Sequence, residues 1–158
     1  MLITLNKQMH IRYISYALII IPINSRFYWK VFKIISNKMM SNISLSLEEI
    51  FILAKNVFFK NGCDEETSNI MADLVMKAER DGSLSHGLFR VPAYVSGLKS
   101  GKINGKGNPD IKIISASVVK ANGNNCLAPV VLNKSIPELI KLAKENGVAI
   151  LSITNSHH

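Results

Sequence analysis

Residues 97–107 hold four glycines and three lysines, and Asn108-Pro109 follows at once. Glycine and proline at this density disfavour a regular element, so a loop is expected here. The sequence changes character across that loop. Before it, apolar residues recur three or four apart; after it, β-branched residues gather as Ile111, Ile113, Ile114, Val118 and Val119. Helices first, then strand, helix and strand, predict an α+β (mixed α/β) protein. A helical subdomain is expected over 40–107 and an α/β unit over 108–158.

The helical half is strongly punctuated. Ser46-x-x-Glu49 is a capping box, Ile50, Ala54, Val57 and Phe58 follow at helical spacing, and Asn61-Gly62 is a stop. A second helix is expected from about Asp64, with Glu65 and Glu66 against its positive end and a stripe of Ile70, Met71, Leu74, Val75 and Ala78. Gly82 closes it. Ser83 or Ser85 can then cap a third helix, in which Pro92 falls beyond the first turn and should kink it. A start near Leu88 removes that conflict and leaves His86 on the turn. In the second half, Ala121-Asn122-Gly123-Asn124 reads as a turn. Residues 127–146 read as helix, split in two by Pro137 with Ser135 capping the second piece. Residues 148–153 read as a buried strand, central in a sheet.

The net charge is +8, but residues 1–40 carry six basic side chains and no acidic one, while the remainder carries 13 basic and 11 acidic. The body is close to neutral, which argues against a nucleic-acid partner, since that needs a clustered basic face. Residues 1–39 form a basic, apolar leader. Its apolar run, residues 13–23, is interrupted by Pro22 and flanked by Arg12 and Arg26. A membrane span needs about twenty residues, so this run is too short by itself. It resembles the apolar part of a secretory signal, but no small-x-small cleavage pattern follows before Arg26. Two readings stand: a short anchor or signal, or sequence outside the native protein, with translation starting at Met39 or Met40. Cys63 and Cys126 are the only cysteines, far apart and without metal-type spacing. Free thiols and a reducing cytoplasm are expected.

The chemistry concentrates in Ser85-His86-Gly87-Leu88-Phe89-Arg90-Val91-Pro92-Ala93-Tyr94. Each four-residue step on a helix turns by only about 40° and rises about 6 Å. On one helix His86, Arg90 and Tyr94 would share a face. An imidazole moves protons near neutrality, a guanidinium forks onto a carboxylate, and a phenol donates a hydrogen bond. That row suits a small carboxylated substrate. The bland alternatives are a packed or capping histidine and an arginine paired with an acidic neighbour. The closing Asn155-Ser156-His157-His158 follows the last strand, where ligand sites of open sheets tend to lie. A metal held by His86 with His157 or His158 lacks a carboxylate or thiol at ligand spacing, and none is expected.

Arg80-Asp81-Gly82-Ser83-Leu84-Ser85-His86-Gly87-Leu88-Phe89-Arg90-Val91-Pro92-Ala93-Tyr94, then Ser100-Gly101-Lys102-Ile103-Asn104, then Asn155-Ser156-x-His158 resemble the malate/L-lactate dehydrogenase family. That family includes ureidoglycolate dehydrogenase, 2,3-diketogulonate reductase and reductases of cyclic imino acids. The resemblance runs from about Ser46 to the last residue. It implies an oxidoreductase that uses NAD or NADP on small 2-keto or 2-hydroxy acids, works as a homodimer, and builds its cofactor site without a Rossmann fold. That fits the absence of Gly-x-Gly-x-x-Gly after a strand. The resemblance makes His86 and His158 catalytic, with His86 the proton donor to the carbonyl oxygen. It makes Arg90 the carboxylate clamp, and has Ser85 and Tyr94 orient the substrate. Family members are much longer, and their Lys-Asp pair and most cofactor contacts lie beyond the matched segment. The expectation is therefore an N-terminal part, inactive alone, with residues 108–158 an incomplete cofactor domain. The alternatives are a non-catalytic module pairing with an intact dehydrogenase subunit, or a membrane-anchored relic. Cys126 and Ala128 stand where the family usually has glycine, and Pro137 interrupts a helix that the family continues.

Overall fold

The structure, a computed structural model, describes residues 2–4 and 44–158. Met39, Met40 and the apolar run 13–23 lie outside the described residues. Strand β1 (Leu2–Thr4) pairs antiparallel with β2 (Ser44–Ser46), Ile3 opposite Leu45. Ser46 then caps α1 (Leu47–Lys60): its Oγ accepts the Glu49 N–H, and Glu49 Oε2 accepts the Ser46 N–H at 2.7 Å. The Ser46 N–H and hydroxyl, both donating to Glu49 Oε2, hold the Glu49 carboxyl below the usual carboxylate range. Asp64 caps α2 (Glu65–Arg80) by accepting the Thr67 N–H at 2.8 Å. α3 (Val91–Lys99) follows two short 3-10 turns.

Beyond the glycine-rich loop come β3 (Asp110–Ser115), β4 (Val118–Leu127), α4 (Ala128–Asn146) and β5 (Ile150–His157). The sheet order is β3-β4-β5, with β3 antiparallel and β5 parallel to the central β4. Among the described residues no helix is long and apolar enough to cross a membrane.

Two buried clusters hold these elements. The first joins Ile50, Ala54 and Phe58 of α1 to Met71 and Val75 of α2, Tyr94 and Val95 of α3, and Leu127 and Val130. The second places Ala121, Cys126 and Val131 against Ile111, Leu151 and Ile153. Helix α4 belongs to both, through Val130 and Val131. Loop contacts tie the halves further: Gly107 N–H donates to Thr67 Oγ1, and Lys134 Nζ bonds both the Gly107 carbonyl and Glu66. Cys63 and Cys126 are free and buried; burial pushes the Cys63 thiol up to about 12.

Four expectations are corrected here. The expected turn at Ala121-Asn122-Gly123-Asn124 lies inside β4, and the β3–β4 connection falls at Ala116-Ser117 instead. Gly123 is there for close approach: a Cβ would come within 2.7 Å of the Asn155 carbonyl oxygen and 3.1 Å of Val131 Cγ2. Asn124 and Asn125 take left-handed conformations, and the strand resumes against β5 at Cys126 and Leu127. Second, Pro137 does not split α4. Val130 and Val131 before it and Leu142 after it are buried, so packing spans the break. Ser135 caps nothing; it is buried and its Oγ donates back to the Val131 carbonyl at 2.8 Å. Third, the strand at 148–153 is neither central nor buried on both faces. β5 is an edge strand among the described residues, with Leu151 and Ile153 packed inward and Val148 and Ile150 62% and 59% exposed. A continuous apolar run carries no period from which to tell one covered face from two. Fourth, residues 97–99, expected in the loop, close α3, where Ile103 packs over Gly97, and the loop starts only at Ser100.

Pro137 is exposed and forgoes one helical hydrogen bond. Pro137→Ala should therefore raise unfolding stability by about 1–3 kcal/mol in urea titrations; an unchanged midpoint would contradict this account of α4.

Candidate active site

Helix α2 ends at Arg80. Asp81 follows, Gly82 takes a positive φ of 73°, and the Ser83 N–H returns to the Ala78 carbonyl at 2.8 Å. Leu84–His86 form one 3-10 turn and Leu88–Arg90 a second, separated by Gly87 at φ −84° and ψ −144°. Only then does α3 begin, with Pro92 in its first turn, where no N–H is needed. The single helical face expected for His86, Arg90 and Tyr94 is thus absent. The three lie on three successive short elements, because Pro92 cannot sit deep in a helix and Gly87 interrupts the spiral.

The structure nonetheless groups several of them. Ser85 Oγ lies 3.0 Å from His86 Nδ1, with Ser83 Oγ at 3.5 Å, and the imidazole is exposed. Arg90 is also exposed, its Cζ 5.9 Å from the centre of the Tyr94 ring. Its Nη2 donates to the main-chain oxygen of His158 at 3.3 Å, so the end of β5 reaches the same face. No side-chain carboxylate pairs with Arg90 among the described residues. Tyr94 is only 5% exposed and packs on Phe58, ring centres 6.2 Å apart. It is a floor beneath the guanidinium more than an arm toward solvent. Among the described residues no three His, Cys, Asp or Glu side chains gather as a metal site.

One residue of this region escaped the sequence reading. Glu79 is buried, 3% exposed, and Oε1 accepts the Leu88 N–H at 2.7 Å. Desolvation raises its pKa, against the lowering effect of the Leu88 hydrogen bond. The signal was available: Met71, Val75 and Glu79 follow at four-residue steps, so an acid stands in line with an apolar stripe.

Residues 45–158 match the malate/L-lactate dehydrogenase family. The chain belongs to that family. Among similar proteins, the Δ1-pyrroline-2-carboxylate/Δ1-piperideine-2-carboxylate reductase of Pseudomonas syringae pv. tomato is 36% identical over 115 residues, 73% of this chain and 34% of the relative. The malate/(S)-sulfolactate dehydrogenase of Methanothermus fervidus is 39% identical over 114 residues, 72% of this chain and 34% of the relative. The crystal structure of the P. syringae Δ1-piperideine-2-carboxylate reductase superposes with a TM-score of 0.70 at 37% identity, covering 72% of this chain and 34% of that one. The malate dehydrogenase of Pyrococcus horikoshii OT3 gives 0.69 at 32% identity, covering 73% and 33%. The malate/L-lactate dehydrogenase segment in this chain thus spans about a third of the length of the relatives it matches.

Because Glu79 is held neutral more readily in the folded protein than in the unfolded chain, its contribution to stability is complete at low pH. It is lost as pH rises from about 4.3, the ordinary glutamate value, through the raised native value. The urea midpoint of the native chain should fall over that range relative to Glu79→Gln; parallel pH profiles would show that burial does not perturb this carboxyl.

Proposed function

We propose that this chain carries the substrate-anchoring part of an NAD- or NADP-dependent oxidoreductase for small 2-keto or 2-hydroxy acids. The observation that carries the reading is the exposed Arg90 guanidinium, 5.9 Å from the centre of the Tyr94 ring, on the turn that follows that of His86 and free of any side-chain carboxylate among the described residues. A planar fork set over an aromatic ring, with no side-chain acid to occupy it, suits the carboxylate of an oxo-acid. When Ser85 Oγ accepts from His86 Nδ1–H, Nε2 is the nitrogen that exchanges a proton. As the imidazolium, His86 gives its Nε2 proton to the carbonyl oxygen of a 2-keto acid during reduction, and the neutral ring takes a proton back on Nε2 in the reverse direction. Ser85 sets the tautomer, and His158 closes the site from the end of β5. Relatives named as malate and sulfolactate dehydrogenases and pyrroline-carboxylate reductases support a small acid as substrate.

Family membership supports a nicotinamide cofactor, which supplies the hydride when bound. The residues described here do not make a cradle for it. At Gly123, the glycine of the central strand, the space a Cβ would take is already bounded by the Asn155 carbonyl and Val131, so that side of the strand is packed and not open to a ligand. The roles assigned to this chain therefore stop at substrate anchoring and proton transfer. The same reading takes residues 40–107 as the anchoring subdomain and 108–158 as the opening of a non-Rossmann cofactor domain. It takes the working protein as a cytoplasmic homodimer.

Two outcomes check this reading. The isolated chain should not oxidise NADH or NADPH with pyruvate or oxaloacetate; measurable turnover would overturn its assignment as an incomplete enzyme. Oxalate, a planar stand-in for an oxo-acid, should shift the His86 ring signals in NMR titrations, and Arg90→Ala should weaken that binding by at least about tenfold. Equal binding by both proteins would remove Arg90 from the site.

A further inference from the structure

The two turns that carry His86 and Arg90 meet at Gly87, whose torsions belong to neither. Each turn is closed at that residue: Gly87 N–H donates to the Leu84 carbonyl at 3.3 Å, and the Gly87 carbonyl accepts the Arg90 N–H at 2.9 Å. A pivot of this kind leaves the imidazole and the guanidinium free to swing apart unless something outside the turns grips it. Glu79, on the preceding helix, does so. Its carboxyl carbon and Cγ lie 2.7 Å and 3.0 Å from where a Cβ at position 87 would stand, and its Oε1 holds the next N–H, that of Leu88. Leu88 in turn is buried in the main core cluster.

We propose that Glu79 is the positioning residue of the substrate site, fixing the relative placement of His86 and Arg90 by clamping the Gly87–Leu88 peptide. This rests on the reading that those two side chains receive the oxo-acid. The clamp accounts for two oddities together. A side chain at position 87 would have to displace the carboxyl group that occupies its space. And Glu79 Oε2 is the one buried side-chain oxygen without a partner among the described residues. A carboxyl with one oxygen unpartnered is a costly occupant of a core position, and its single hydrogen bond goes to the Leu88 N–H. Geometry, more than stability, is what this acid supplies.

The test compares Glu79→Met, which matches the length and packing but lacks the acceptor, with Glu79→Gln, whose amide oxygen can still accept the Leu88 N–H. The Met variant should lower the thermal midpoint modestly, because the buried Leu88 N–H loses its acceptor, lose hydrogen-exchange protection at the Leu88 amide, and weaken oxalate binding by about tenfold or more. The Gln variant should restore protection and binding, the latter to within about twofold of the native chain. A Met variant that binds oxalate like the native chain overturns the proposal, as does a Gln variant that restores Leu88 protection without restoring binding. Should the Met variant fail to fold, Glu79→Asp, which keeps the carboxyl but withdraws it from the Leu88 N–H, should show the same loss. If the native chain itself does not bind oxalate, the substrate reading falls. The clamp is then judged by Leu88 protection and the His86 ring signals alone, and a Met variant matching the native chain in both refutes it.

Discussion

Adjacent valines on one helix hold this structure together. Val130 turns into the cluster built by α1, α2 and α3, and Val131 turns toward the sheet. A helix that buries two neighbouring positions in two different places has a wide apolar arc and cannot be released from one layer without exposing the other. The helical layer and the sheet therefore share a wall. The end of β5 is delivered to the turns after α2 by that shared wall, and the contact between Arg90 and the His158 main chain is a result of it.

Much of the fold was legible because local chemistry and tertiary packing agree. The capping box at Ser46 and Glu49, the Asp64 cap and the stop at Gly82 are local devices, and each stands where its side chains require. Where the two disagree, the sequence misleads. Gly123 and its asparagine neighbours have the composition of a turn, yet the glycine serves a close crossing of β4, β5 and α4. Pro137 has no N–H to give the helix, but burial on both sides carries the helix through. Such outcomes depend on residues distant in the chain, which no window of neighbours contains.

The candidate site shows the same division. Residue types and spacing were enough to single out His86, Arg90 and Tyr94, but a helical wheel was the wrong frame for them. Tyr94 is core, Arg90 lies on its face, and His86 stands on a separate turn with Ser85. Glu79 was hidden for a different reason. It sits in a helix whose stripe reads as ordinary packing, and its partner is a main-chain N–H nine residues on. Main-chain donors leave no trace in a sequence, so an acid that serves one is visible only once the backbone is placed.

The stacking of Arg90 on Tyr94 has a thermodynamic corollary. Tyr94 rests on Phe58, and Phe58 is fully buried in the main core cluster. An anion that settles on the guanidinium is therefore coupled, ring by ring, to the same side chains that decide whether the chain stays folded. Occupancy and conformational order become a single equilibrium, and each gram of ligand taken up is also a measure of how firmly the helical layer is shut.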